Sequence, residues 1–141
     1  MGLTSESRIK LIADIVTRLR TVMPDVIAVY RFGTWGTKAE RNDSDLDLAV
    51  LAPKRLPAAQ TWEIAQQLAT FAGFNVDLVD LHAASTVMAA QIISKGERLY
   101  CSDEKRCVEY EDRTYSSYAR LNEERREILQ DIRKRGNVYG R

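Results

Sequence analysis

An α/β (α+β) fold, helices alternating with strands in one small domain, is what this chain predicts, and three observations predict it. Apolar residues recur at helical spacing near the N-terminus, runs of apolar and β-branched residues of strand length follow, and Pro and Gly fall at the boundaries between them. The 141 residues suffice for one buried core and leave no room for a separate substrate domain.

Taken in order, Ile9, Ile12, Ile15, Val16 and Leu19 mark an amphipathic helix over residues 5–22 that ends near Pro24. The run Val26-Ile27-Ala28-Val29-Tyr30-Arg31-Phe32 reads as a strand, and Gly33-Thr34 lies where that strand turns into a helix. Residues 45–51 form the next strand. Pro53 and Pro57 bracket a loop, after which residues 57–72 form a helix with Pro57 at its start and Gly73 just past its end. Phe74 to Leu81 is a third strand. Ser85 caps a helix carrying Val87, Met88 and Ile92 that stops at Gly96, and Glu97 to Cys101 is a short last strand. Roughly half of the residues after Cys101 are charged, both signs interleaved, and Tyr118, Leu121, Ile128 and Ile132 keep a thin apolar stripe flanked by Arg120, Glu124, Arg125 and Arg126. Counting the helix after Gly33, helix and strand alternate throughout and a helix stands at each end.

The strand Asp45-Leu46-Asp47-Leu48-Ala49-Val50-Leu51 carries two acids where an apolar run is expected. Side chains alternate along a strand, so both aspartates point the same way, their backbones roughly 7 Å apart. Like charges so placed repel, and burying them unpaired costs several kcal/mol each, about 2 or more. A divalent metal between them resolves the conflict, and carboxylate clusters of this kind serve phosphoryl and nucleotidyl transfer. Gly33-Thr34 suits the same chemistry. Glycine lets backbone N–H groups approach a phosphate, the threonine hydroxyl donates to it, and a helix N-terminus adds a favourable field. Asp77, inside the strand of Phe74 to Leu81, is the expected third acid from a neighbouring strand. An acidic solvated edge strand accounts for Asp45 and Asp47 taken alone, but not for these residues together with the turn and Asp77.

Gly33-Thr34, a ten-residue spacer, Asp45-x-Asp47 and a later Asp77 resemble the signature of the polymerase-beta-type nucleotidyltransferases, whose usual form is Gly-Ser, a spacer, then Asp-x-Asp. The resemblance covers about residues 26–101. Length and the character of the tail narrow it to the minimal nucleotidyltransferase antitoxins that are paired with HEPN-domain ribonuclease toxins. Two departures stand out: threonine replaces serine at Thr34, which keeps the hydroxyl, and Lys38 sits where relatives often have a second glycine after Gly36. Arg41, Asp43 and Ser44 match residues commonly seen just before the Asp-x-Asp.

The resemblance implies a polymerase-beta-like core, a small mixed sheet flanked by helices, over residues 1–101, with a charged helical extension over 102–141 that belongs to the same domain or docks a partner. It implies a Mg2+-dependent protein adenylyltransferase: ATP with its phosphates on Gly33 and Thr34, Lys38 and Arg41 as phosphate contacts, two Mg2+ ions held by Asp45, Asp47 and Asp77, and Asp77 orienting the acceptor hydroxyl. The implied acceptor is a tyrosine of a cognate HEPN-type toxin, inactivated by added AMP. Two alternatives remain at this point: a binding-only antitoxin acting through its tail, and a small-molecule nucleotidyltransferase similar to the aminoglycoside enzymes.

Composition sets further bounds. A formal net charge of +1 offers no electrostatic footprint for stable nucleic-acid binding. No stretch approaches a membrane span, no apolar leader is present, and Cys101 and Cys107 form neither a redox nor a zinc motif, so a reduced, cytoplasmic protein is expected. Asp80, odd-spaced from Asp77, is expected on the other face or at the strand's end, Asp43 in a turn, and His82, the only histidine, in the loop after the strand.

Overall fold

The computed structural model describes residues 5–33 and 45–139, without the side chains of Ser5 and of residues 136–139. Along the chain run α1 (Ser5–Val22), β1 (Ala28–Phe32), β2 (Leu46–Leu51), α2 (Ala58–Ala72), β3 (Val76–Asp80), α3 (Thr86–Lys95), β4 (Glu97–Cys101) and α4 (Glu104–Tyr139). The helix expected after Gly33 falls outside the described residues.

The strands form one mixed sheet in the order β3-β2-β1-β4, with β2 and β3 parallel and β1 antiparallel to both β2 and β4. Period-two alternation splits the strand residues between two cores. On one face Val29, Leu46, Leu48 and Val50 pack against Ile15 and Leu19 of α1 and Ile64 and Leu68 of α2. On the other Tyr30, Ala49 and Leu51 meet Ala89 and Ile92 of α3 and Cys107 and Tyr110 of α4. The predicted helix signals operate as expected: Ser85 accepts the Met88 N–H at 3.1 Å, and Gly73, with φ of 83°, donates its N–H to Ala69 at 2.8 Å. Ile9, counted with the apolar stripe of α1, is exposed because the core begins one turn later.

Along α4 burial changes with position. Cys107, Tyr110 and Thr114 are buried against the domain, whereas Ile128, Leu129 and Ile132 on the later turns are exposed. Tyr30, buried beneath the first turns, donates from its hydroxyl to Glu111 at 2.6 Å, and Arg98 of β4 pairs with Glu104 at 2.9 Å.

Candidate active site

Chain direction brings the predicted acids to one end of the sheet. β2 and β3 run parallel, so Asp45, Asp47 and Asp77 all lie where these two strands begin; β1 runs the other way and ends there at Gly33. The register sets Phe32 opposite Asp47 and Asp47 opposite Asp77. Asp45 immediately precedes β2 and is held in line by the Leu46 N–H, which donates to the Asn75 carbonyl at 3.1 Å. Asp45 and Asp47 are half-buried and Asp77 is exposed. Thr34, Lys38 and Arg41 lie outside the described residues, as do Asp43 and Ser44.

Electrostatics follow from that crowding. The Asp47 carboxyl is pushed up from its ordinary 3.8 to about 6, first by burial, then by the charges of Asp77 and Asp45, and by a hydrogen bond with Asp77. Two carboxyl groups can share a hydrogen bond only through a proton that one of them keeps. Among the described residues no three acidic, histidine or cysteine side chains are gathered closely enough to enclose one ion. The donor set nevertheless fits a divalent cation: the acids offer oxygen ligands only, on adjacent strands, and crowd their negative charge together at one end of the sheet.

Gly33 contributes more than was read from the sequence. Its φ of +79° is left-handed, and a Cβ there would overlap the Asp47 carboxylate. The glycine therefore makes room for the Asp47 carboxylate. Beside it lies a hollow of about 410 Å³ lined by Phe32, Gly33, Met88, Gln91, Ile92 and Lys95.

Asp80 serves the fold. It is buried at the end of β3, and its two oxygens accept the N–H groups of Leu56 at 2.8 Å and of His82 at 3.0 Å. His82 Nε2 stands 2.6 Å from the Ala52 carbonyl oxygen, which only an N–H can satisfy. The His82 N–H lies two residues from Asp80, a local turn contact, whereas Leu56 and Ala52 are distant in sequence and no local spacing announces them.

Residues 13–105 match the polymerase beta nucleotidyltransferase family. The chain belongs to that family. Within it the chain falls on the MntA-type antitoxin branch: it is 36% identical over 118 residues to the protein adenylyltransferase MntA of Shewanella oneidensis, covering 84% of each chain. Among solved structures it resembles the MNT antitoxin in complex with a tri-AMPylated Shewanella oneidensis HEPN toxin, at 35% identity and a TM-score of 0.71, over 85% of this chain and 93% of that one. It also resembles a toxin–antitoxin structure with AMP-PNP, at 34% identity and a TM-score of 0.74, over 84% of this chain and 96% of that one. Membership of this family agrees with the expected polymerase-beta-like fold and with nucleotidyl transfer as its chemistry.

Proposed function

We propose that this chain is an antitoxin that transfers AMP from ATP to a tyrosine hydroxyl of a cognate HEPN-type toxin and thereby silences it in the cytoplasm, where ATP is supplied. The observation that carries the reading is the register that sets Asp47 opposite Asp77 and against Gly33, crowding acids beside the glycine of the nucleotidyltransferase signature. The MntA relative is a protein adenylyltransferase, and the solved relatives include an AMPylated HEPN toxin and an ATP analogue.

Gly33 and Thr34 would receive the triphosphate through backbone N–H groups and the threonine hydroxyl, with Lys38 and Arg41 adding positive charge. Asp45, Asp47 and Asp77 would hold Mg2+, two ions in the full site, which neutralise charge on the phosphates and lower the pKa of the acceptor hydroxyl. Asp77, on the outer strand, orients that hydroxyl and takes its proton as the oxygen bonds to the α-phosphorus and pyrophosphate leaves. Asp47 must be ionised to serve, so its raised pKa makes transfer acid-inhibited.

The test is a pair of labelled substrates. ATP labelled at the α-phosphate should mark the toxin and ATP labelled at the γ-phosphate should not. Label from the γ-position on the toxin, or α-label on free aminoglycoside in preference to the toxin, would refute the reading.

A further inference from the structure

We propose that Cys101 and Cys107 are a modification site: a hydroperoxide oxidises them to an intramolecular disulfide that fastens α4 to β4. Their spacing matches no redox motif, with five residues between them. The fold brings them together, because the chain reverses between the end of β4 and the first turns of α4. Their sulfurs stand 2.7 Å apart, closer than the about 3.5 Å at which the smaller carbon atoms meet. A small turn of either side chain closes the remaining gap to the about 2.05 Å of an S–S bond. Both backbones are held in place for that bond. Cys101 lies opposite Ala28 in the β1–β4 ladder, and Ser102 beside it donates its N–H to the Ile27 carbonyl at 2.8 Å and its hydroxyl to the Val26 carbonyl at 3.1 Å. Cys107 donates its N–H to the Asp103 carbonyl at 3.1 Å, and Arg98 of β4 holds Glu104 at 2.9 Å across the same corner. The Ile27 carbonyl oxygen, which also accepts from the Cys107 thiol, is farther from its sulfur at 3.9 Å.

Exposure divides the work between the two sulfurs. Cys107 is fully buried, and burial pushes its thiol up to about 12, so it stays protonated; Cys101 is half-buried and is the sulfur an oxidant reaches. In the first step the Cys101 sulfur attacks one oxygen of hydrogen peroxide. An S–O bond forms, the O–O bond breaks, and the other oxygen leaves as water with the proton from Cys101, so that Cys101 becomes a sulfenic acid. The Cys107 sulfur then attacks the Cys101 sulfur. The S–S bond forms, the S–O bond breaks, and the hydroxyl leaves as water with the proton from Cys107. Two electrons pass from the sulfur pair to the peroxide. Where cellular thiols keep cysteines reduced, such a bond is transient and responds to oxidant. The pair is therefore a latch that closes as peroxide rises and reopens with a reducing thiol.

The experiment treats the full-length native protein, Cys101→Ser and Cys107→Ser with hydrogen peroxide, then measures intact mass, non-reduced tryptic peptides and melting temperature. The native chain should lose the mass of two hydrogens, form no disulfide-linked dimer, and yield the peptide Leu99–Lys105 joined to Cys107–Arg113. Its melting temperature should rise by about 5 °C and return to the starting value with dithiothreitol. Cys107→Ser should instead hold a sulfenic acid at Cys101, captured by dimedone about tenfold more than in the native chain. Cys101→Ser should keep its buried thiol unoxidised. The native readouts decide the matter alone if either variant fails to fold. Two free thiols after peroxide, a dimer linked through Cys101, a sulfenic acid that persists on native Cys101, or a disulfide that leaves the melting temperature unchanged overturns the proposal.

Discussion

Asp47, an acid of the proposed transfer site, carries a cost to stability, and pH separates that cost from the chemistry proposed for it. In the folded chain its carboxyl releases a proton near pH 6, against an ordinary value of 3.8. Between these values the folded state binds the proton and the unfolded state does not, so stability falls as pH rises from about 4 to about 6 and stays reduced above. A shift of this size corresponds to about 3 kcal/mol, cut to about 1 kcal/mol by the access of water to a half-buried group. Asp47→Asn should therefore raise the melting temperature by about 3 °C at pH 8 and leave it unchanged at pH 4, while AMP transfer falls by about a thousandfold or more. Calorimetry at the two pH values, beside the transfer assay, checks both halves. Gly33→Ala should fail differently, losing about 1–3 kcal/mol of stability from its left-handed backbone and activity from the clash with Asp47. Much of this scale was legible in the sequence, because the distance between Asp45 and Asp47 along one strand is fixed by strand geometry. The contact of Gly33 with Asp47 was not, since it depends on the antiparallel register of β1 and β2.

At the scale of elements, the carboxylate at the end of β3 fastens the loop before α2. Asp80→Ala strands the buried N–H groups of Leu56 and His82 and should cost about 2–4 kcal/mol, visible as an earlier urea midpoint with little change in the KM for ATP. The capping residue gives a smaller effect: Ser85→Ala should cost about 1 kcal/mol by the same measurement. Strand and helix bodies were readable from periodicity and punctuation, and the observed boundaries differ by one or two residues. Val26 and Ile27, read as strand, precede β1 because Val26 donates to Met23 in a turn and Ile27 donates to the Leu51 carbonyl beyond the regular pairing. The thiols of Cys101 and Cys107, unremarkable in spacing, meet at 2.7 Å where β4 hands over to α4, and burial pushes the Cys107 thiol up to about 12. Only the reversal between those two elements brings them together.

At the scale of the whole molecule, a sheet with a core on each face supports the site from behind. α1 and α2 cover one face, and α3 with the first turns of α4 covers the other. The later turns of α4 add little to this frame, since Ile128, Leu129 and Ile132 are exposed. Truncation after Glu123 should change folding stability by less than about 1 kcal/mol, measured by urea unfolding; a larger loss would mean that these turns pack on the domain. The family and its chemistry were legible because the signature is local, a turn followed by two acids on one strand. The hollow beside Gly33 was not, because the end of β1 and α3 build it together and neither segment signals it alone. The most direct test of the account is intact-mass spectrometry of the cognate toxin after incubation with ATP, Mg2+ and this chain, beside the Asp47→Asn protein. The toxin should gain whole AMP units on a tyrosine with the native chain and none with the variant; a toxin neutralised at unchanged mass would contradict transfer and leave binding alone as the antitoxin's means.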